Sequence, residues 1–284
     1  MIGRVADPLV DRLRAAGCVF AEEEAGLLRA TAIDPTHLDD LVTARCAGRP
    51  LETLVGWAEV DGVRVPAVDG VFVPRRRSGL LVRLVAAHLA AARPSGAAHA
   101  PAEPIRALDL CCGSGALGLA LARRLPGAEV HAADLDPAAV AAARRHLPAD
   151  RVHAGDLFAA LPSSLAGTLD AVLVNAPYVP SEHVALMPPE ARDHEPLLAL
   201  DGGPDGTALH ARVAAEVVGW LRPGGVVAGE TSRAQAATTA DLLRRAGLAV
   251  TTHHDPEVDG TAAVGVRPPS GPADGNQLFT NQEV

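Results

Sequence analysis

From residue 105 onward the chain alternates short apolar runs with longer amphipathic ones, and this alternation limits its architecture more than any other feature. IRALDL, AEVHAAD, RVHAGD, LDAVLVN, GVVAGE, LAVTTHH and AAVGVRP have the length and composition of strands. GALGLALARRL, PAAVAAARRHL, TALHARVAAEVVGWL and SRAQAATTADLLRRAG have the spacing of helices. Strands separated by helices predict an α/β domain with a mostly parallel sheet covered on both faces. HDPEVDGT joins the last two strands without a helix, so the final strand is expected to run antiparallel.

Ahead of this region lie three short helical patterns, DPLVDRLRAAG, AEEEAGLLRATA and DPTHLDDLVTARCAG, each punctuated by Gly, Pro or an Asp-Pro pair. Residues 57–73 alternate apolar and polar around two Asp-Gly turns, which predicts a β-hairpin or meander. The helix SGLLVRLVAAHLAAA follows, and then the Pro/Ala/Gly stretch RPSGAAHAPAEP, which reads as a surface linker. The expected organisation is a helical subdomain over 1–56, hairpin, helix and linker over 57–104, the α/β domain over 105–268 and a disordered tail over 269–284.

Composition removes several function classes. No apolar run reaches the roughly 18 residues of a membrane span, and the N-terminus lacks the basic start and apolar middle of a secretion signal, so a soluble cytoplasmic protein is expected. Cys18, Cys46, Cys111 and Cys112 show neither metal-ligand spacing nor a disulfide framework, and read as small buried side chains. All 25 basic residues are arginine, which excludes a Schiff-base lysine and a Walker-type phosphate lysine. Residues 1–100 carry 12 acidic and 12 basic side chains, whereas residues 101–284 carry 22 and 13. An acidic second part repels phosphate backbones and counts against a nucleic-acid partner.

LDLCCGSGALGLALA places Gly113, Gly115 and Gly118 between the first strand of the α/β region and its helix, where bare backbone N–H groups can meet a ligand. The spelling satisfies the dinucleotide pattern G-x-G-x-x-G, with Asp134 at the end of the next strand. Two further acids change that reading. Asp109 ends the first strand, where a carboxylate crowds a pyrophosphate but suits the ammonium of an amino-acid ligand, and Asp156 in GDLF ends the third. Three carboxylates at three successive strand ends suit S-adenosylmethionine, which has an ammonium, a ribose diol and a sulfonium but no phosphate. The candidate cofactor site is Asp109, Cys111, Cys112, Gly113, Ser114, Gly115, Asp134, Asp156, Leu157 and Asn175. Acids at strand ends also cap helices, and Asp136 before Pro137 is a candidate N-cap.

The fourth strand, LDAVLV, ends on Asn175-Ala176-Pro177-Tyr178. An unpaired buried amide costs about 1–3 kcal/mol, so Asn175 needs a partner, and the acids and glycines at the same sheet edge suggest a ligand. Asn175 offers a side-chain oxygen, Ala176 a backbone carbonyl, Pro177 a rigid turn and Tyr178 a flat wall. Together they suit a planar NH2 group held in line with a methyl donor. Asn and Pro equally suit an ordinary strand-ending turn. His194 and Glu195 read as a loop anchor in preference to a general-base pair, and Arg75, Arg76 and Arg77 as either a site for an acidic partner or a solvated loop.

With these motifs in view, the chain resembles the bacterial protein-glutamine methyltransferases that modify release factors. Besides LDLCCGSG and GDLF, the likeness runs through VFVPR, NAPY, HEPLLALDGGPDG, LRPGGVVAGE and LLRRAGL, over roughly residues 40–268. The resemblance implies a Rossmann-like, seven-stranded class I methyltransferase fold, S-adenosylmethionine as donor, a glutamine side-chain amide of a protein such as a release factor as acceptor, and acceptor recognition by the N-terminal helices. The sequence departs from the family at Ala176 for the first proline of Asn-Pro-Pro-Tyr, at Cys111 for the first loop glycine, and at Pro74-Arg75-Arg76-Arg77-Ser78-Gly79 for Pro-Arg-Pro-Glu-Thr-Glu. Methylation of an adenine amino group, an NAD-type oxidoreductase and a silent cofactor-binding module remain as alternative readings, and no metal is expected.

Overall fold

The computed structural model describes residues 7–92 and 104–269. At its N-terminus, α1 (Pro8–Ala15) and α3 (Pro35–Cys46) each begin with proline at the first helical position behind an aspartate cap. Asp7 Oδ1 accepts the Leu9 N–H at 3.1 Å and Asp34 Oδ1 the His37 N–H at 2.8 Å. Together with α2 (Ala21–Thr31) and a short α4 (Leu51–Val55) absent from the sequence reading, these helices bury Leu13, Ala21, Ala25, Leu28 and Val42 in a core of their own.

Next comes a hairpin, β1 (Trp57–Val60) and β2 (Val63–Pro66). Its turn residues Asp61 and Gly62 both have positive φ, 50° and 73°, as a type I′ turn requires. The second Asp-Gly pair, Asp69 and Gly70, makes no further strand, so the element is a hairpin and not a meander. It leads instead into residues 71–75, which run without regular structure to a 3₁₀ turn at Arg76–Ser78. α5 (Gly79–Ala92) then packs on the sheet.

The seven remaining strands are β3 (Arg106–Leu110), β4 (Glu129–Asp134), β5 (Val152–Ala154), β6 (Leu169–Val174), β7 (Leu221–Glu230), β8 (Ala249–Asp255) and β9 (Gly260–Val266). They form one sheet in the order β5-β4-β3-β6-β7-β9-β8, with β9 alone antiparallel to both its neighbours. The helices among them are α6 (Ala116–Arg124), α7 (Pro137–Ala143), α8 (Pro189–Arg192), α9 (Ala208–Trp220) and α10 (Ala236–Arg245). Every residue of β6 is buried, as expected for a central parallel strand covered on both faces. Ala171 and Leu173 join the core under α5, α6 and the hairpin, while Val172 and Val174 join the one under α9 and α10. This is the class I methyltransferase arrangement. No described helix is long and apolar enough to cross a membrane. Most of the expected linker and all but the first residue of the expected tail lie outside the described residues.

Register sets where chemistry is possible. Leu110 pairs with Val174 in the parallel ladder of β3 and β6, so Asp109 and Asn175 reach the same carboxyl edge on adjacent strands. β4 and β5 end on that edge too, bringing Asp134 and Asp156 alongside.

Candidate active site

At the end of β3 the chain turns through Cys111 at φ 57° and Gly113 at φ 53°, then enters α6 behind Gly115 at φ 78°. The left-handed region is open to glycine and costly for a side chain, so Cys111 is held there by its surroundings. Gly113 N–H donates to Asp134 Oδ2 at 2.8 Å, and Asp136 N–H to Asp134 Oδ1 at 2.9 Å. Asp136 itself caps α7 through the Ala138 N–H at 2.8 Å.

Asp109 is 1% exposed. Its Oδ2 accepts the Gly118 N–H at 2.8 Å, and its Oδ1 is buried without a partner. Burial pushes this carboxyl up to about 8, against the opposing pull of the Gly118 bond. A Cβ on Gly118 would lie 3.1 Å from Val130 Cγ1 and 3.3 Å from Asp109 Oδ2, so the third glycine lets α6 pack closely on β3 and β4 and brings its N–H to the Asp109 carboxyl. Burial likewise pushes the Cys111 and Cys112 thiols up, away from the thiolate.

These groups line a cavity of about 330 Å³ over the carboxyl ends of the strands. Asp109, Cys111, Cys112, Gly113, Ser114, Asp134, Asp156, Leu157, Asn175 and Pro177 all reach it. Its charged lining is dominated by Asp134, Asp136, Asp156 and Asp201 against Arg75 and Arg212, which favours a cationic ligand and opposes a pyrophosphate. The NAD reading loses its support here. Asp109 Oδ1 and the equally unpartnered Ser114 hydroxyl are buried polar atoms in the wall, and they fit the ammonium and carboxylate of an amino-acid moiety.

Three expected site residues fall outside the lining. Gly115 turns its bare Cα toward α7, where an added Cβ would meet Leu147 Cδ1 at 2.9 Å and Ala143 Cβ at 3.1 Å. Ala176 is 1% exposed and packs in the core under α9, with no described N–H donating to its carbonyl. Tyr178 is not the expected wall: its hydroxyl turns to Glu230 Oε1 at 3.0 Å and accepts from Arg77 Nη2 at 3.1 Å. Asn175 does reach the cavity. Its Nδ2 donates to Ser78 Oγ at 3.3 Å, and among the described residues no hydrogen bond is donated to its Oδ1.

The loop over residues 181–207 supplies what local sequence reading could not assemble. Glu195 is buried, and its Oε1 accepts from Arg75 Nη2 at 2.6 Å and from the Val73 N–H at 3.3 Å, anchoring VFVPR to the loop. Gly202 N–H donates to the Val179 carbonyl at 2.8 Å, and a Cβ there would stand 2.7 Å from Pro177 O. Gln235 Nε2 donates to Tyr178 O and Asp205 O, each at 2.9 Å. Of the three arginines read as a partner site or a solvated loop, Arg75 and Arg77 are instead committed to Glu195 and Glu230. Arg212 was missed. It lines the cavity and pairs with Asp156 at 2.7 Å, from a helix whose pattern shows only amphipathicity. Among the described residues no group of three or more His, Cys, Asp and Glu side chains is placed to hold a metal.

Comparison with known proteins agrees with this geometry. The methyltransferase small domain model matches residues 97–187. The release factor glutamine methyltransferase of Mycolicibacterium smegmatis is 34% identical over 259 residues, 88% of this chain and 88% of the relative. That of Gloeobacter violaceus is 38% identical over 202 residues, 69% of this chain and 66% of the relative. Among solved structures, the hMettl16 catalytic domain in complex with a 3′UTR hairpin is alike in fold, with a TM-score of 0.54 at 14% identity over 81% of this chain and 84% of that one.

Proposed function

We infer the reaction from one premise: the chain belongs to the release factor glutamine methyltransferase family. It is an S-adenosylmethionine-dependent protein-glutamine N-methyltransferase, and we propose that its acceptor is a glutamine side chain in a peptide-chain release factor. The single observation that carries the site assignment is the meeting in one cavity of the buried, unpartnered Asp109 Oδ1 and the Asn175 residue, on strands that end side by side.

When bound, S-adenosylmethionine supplies a methyl group on a positively charged sulfur. Asp109 is assigned to its ammonium, Asp134 to the ribose diol and Asp156 to the adenine rim, with Cys111, Cys112, Gly113, Ser114 and Leu157 around them. Asp134 already accepts two N–H bonds, but each carboxylate oxygen has a second lone pair to offer. Asp156 would serve the adenine rim while shared with Arg212. Gly115 shapes the loop from behind.

An amide nitrogen is a weak nucleophile because its lone pair is delocalised. Asn175 Oδ1 would take one N–H of the acceptor, and the Ala176 carbonyl, next in the chain but outside the cavity lining in this structure, is assigned the other once the seated acceptor draws the turn open. Holding both stabilises the nitrogen as it loses planarity, and Pro177 keeps the turn stiff. A nitrogen held in this way would take the donor's methyl group as the donor's carbon–sulfur bond broke, and its surplus proton would pass to water. No side-chain base is required, so positioning and hydrogen bonding carry the rate. Acceptor recognition is assigned to α1–α4: Arg45 Nη1, from α3, donates to Glu190 Oε1 at 2.6 Å and ties these helices to the 181–207 loop.

The test is to incubate the protein with methyl-labelled donor and purified release factor, then map the label by mass spectrometry. One methylated glutamine is expected, and Asn175→Ala should lower kcat by about 10²–10³ with donor affinity little changed. Label on nucleic acid alone, or on no protein, would overturn the assignment.

A further inference from the structure

The 175–178 turn needs a fixed shape, yet among the described residues no backbone hydrogen bond closes it internally. It is held from outside. Ser78, 2% exposed, accepts the Asn175 side-chain N–H at one end. At the other, Arg77 Nε donates to Glu230 Oε1 at 3.0 Å, Arg77 Nη2 to the Tyr178 hydroxyl at 3.1 Å, and that hydroxyl to the same Glu230 oxygen at 3.0 Å. These three bonds close a ring.

We propose that the Arg76–Ser78 turn is a clasp for the acceptor-binding turn, with Ser78 setting its Asn175 end and Arg77, braced by Glu230, its Tyr178 end. The proposal rests on the acceptor assignment above and adds Arg77, Ser78 and Glu230 as positioning residues for it. Two features make the ring a device for geometry. The guanidinium presents its Nε and Nη2 donors in a fixed plane, so one side chain sets the distance between the Tyr178 oxygen and Glu230; a lysine ammonium has no such fork. Glu230 is 2% exposed at the end of β7, so the clasp is referred to the sheet itself rather than to another loop. Burial beside Glu230 pushes the Tyr178 phenol up, which keeps its proton available to donate across the working pH range.

Tyr178→Phe tests this without unpairing the buried Glu230, because the Arg77–Glu230 pair remains. We expect kcat to fall roughly tenfold, a misplacement effect, with donor Kd and acceptor KM within about twofold of wild type by the same reasoning. Ser78→Ala should act on the same quantity, and the double variant should lose less than the product of the two, as expected for residues acting as one unit. The paired change Arg77→Met with Glu230→Gln should match Tyr178→Phe, while Arg77→Lys should not restore activity. Independently of any acceptor, hydrogen exchange in a peptide spanning residues 174–179 should quicken in each variant. Unchanged kcat and unchanged exchange in folded Tyr178→Phe would overturn the clasp. Wild-type protein that methylates no glutamine, but whose exchange still quickens in the variants, would overturn the acceptor assignment and leave the clasp standing.

Discussion

Asp109 is the residue whose state depends most on what fills the cavity. In the unfolded chain an aspartate ionises near 3.9, whereas burial holds this one protonated to about 8. The folded state therefore binds the extra proton between those values, and the contribution of Asp109 to stability falls as pH rises through that window. An ammonium ligand needs the ionised carboxylate, so donor binding should expel a proton below pH 8. Calorimetry in buffers of different ionisation heat should show this release, with affinity rising by up to about tenfold per pH unit toward pH 8, and Asp109→Asn should abolish the dependence. The adjacent Cys111 shows what local spelling conceals: a side chain occupies a left-handed position where glycine is the ordinary choice, and only the surrounding contacts hold it.

Among the elements, the Asp-Gly-Gly-Pro-Asp-Gly segment owes its composition to close approach. Gly206 has φ 74°, and a Cβ there would stand 2.3 Å from both Tyr178 O and Gln235 Nε2. Gly206→Ala should cost about 2–4 kcal/mol, from overpacking and left-handed strain combined. Urea denaturation reads that loss, and a neutral result would mean that the loop moves freely off the turn. The N-terminal helices offer a second case. Arg45 and Glu24 are both buried and pair at 2.6 Å, with the same guanidinium reaching Glu190 in the loop. Arg45→Met should destabilise by about 3–5 kcal/mol by leaving Glu24 without its partner. Adding Glu24→Gln should recover much of this, because the uncompensated charge, rather than the pair itself, makes up most of the cost.

For the whole molecule, the cofactor assignment has a simple readout. A ligand at 100 times its Kd stabilises the folded state by about 2.7 kcal/mol, so S-adenosylmethionine should raise the melting temperature and NAD should leave it unchanged. The opposite pattern would reinstate the dinucleotide reading. The extent to which this outcome could be foreseen varied with the range of the interaction concerned. The α/β alternation, the antiparallel last strand and the acids at the strand ends are local periodicities, and all are visible in the chain. α4 is only five residues long, too short to register a helical period, and the second Asp-Gly pair has the same spelling as the hairpin turn without strands to join.

Sequence by itself determined which residues reach the carboxyl edge, because Asp109, Asp134, Asp156 and Asn175 each stand at or just past the end of a strand in an alternating, mostly parallel pattern, whatever the side-chain packing; which of those strands lie side by side belongs to the sheet. Tertiary structure alone decided where the side chains around them point. Tyr178 turns to Glu230, 52 residues away, Arg75 to Glu195 across 120, and Arg77 to Glu230 across 153. A buried charge takes the partner that desolvation leaves within reach, and no local pattern records which distant segment that is.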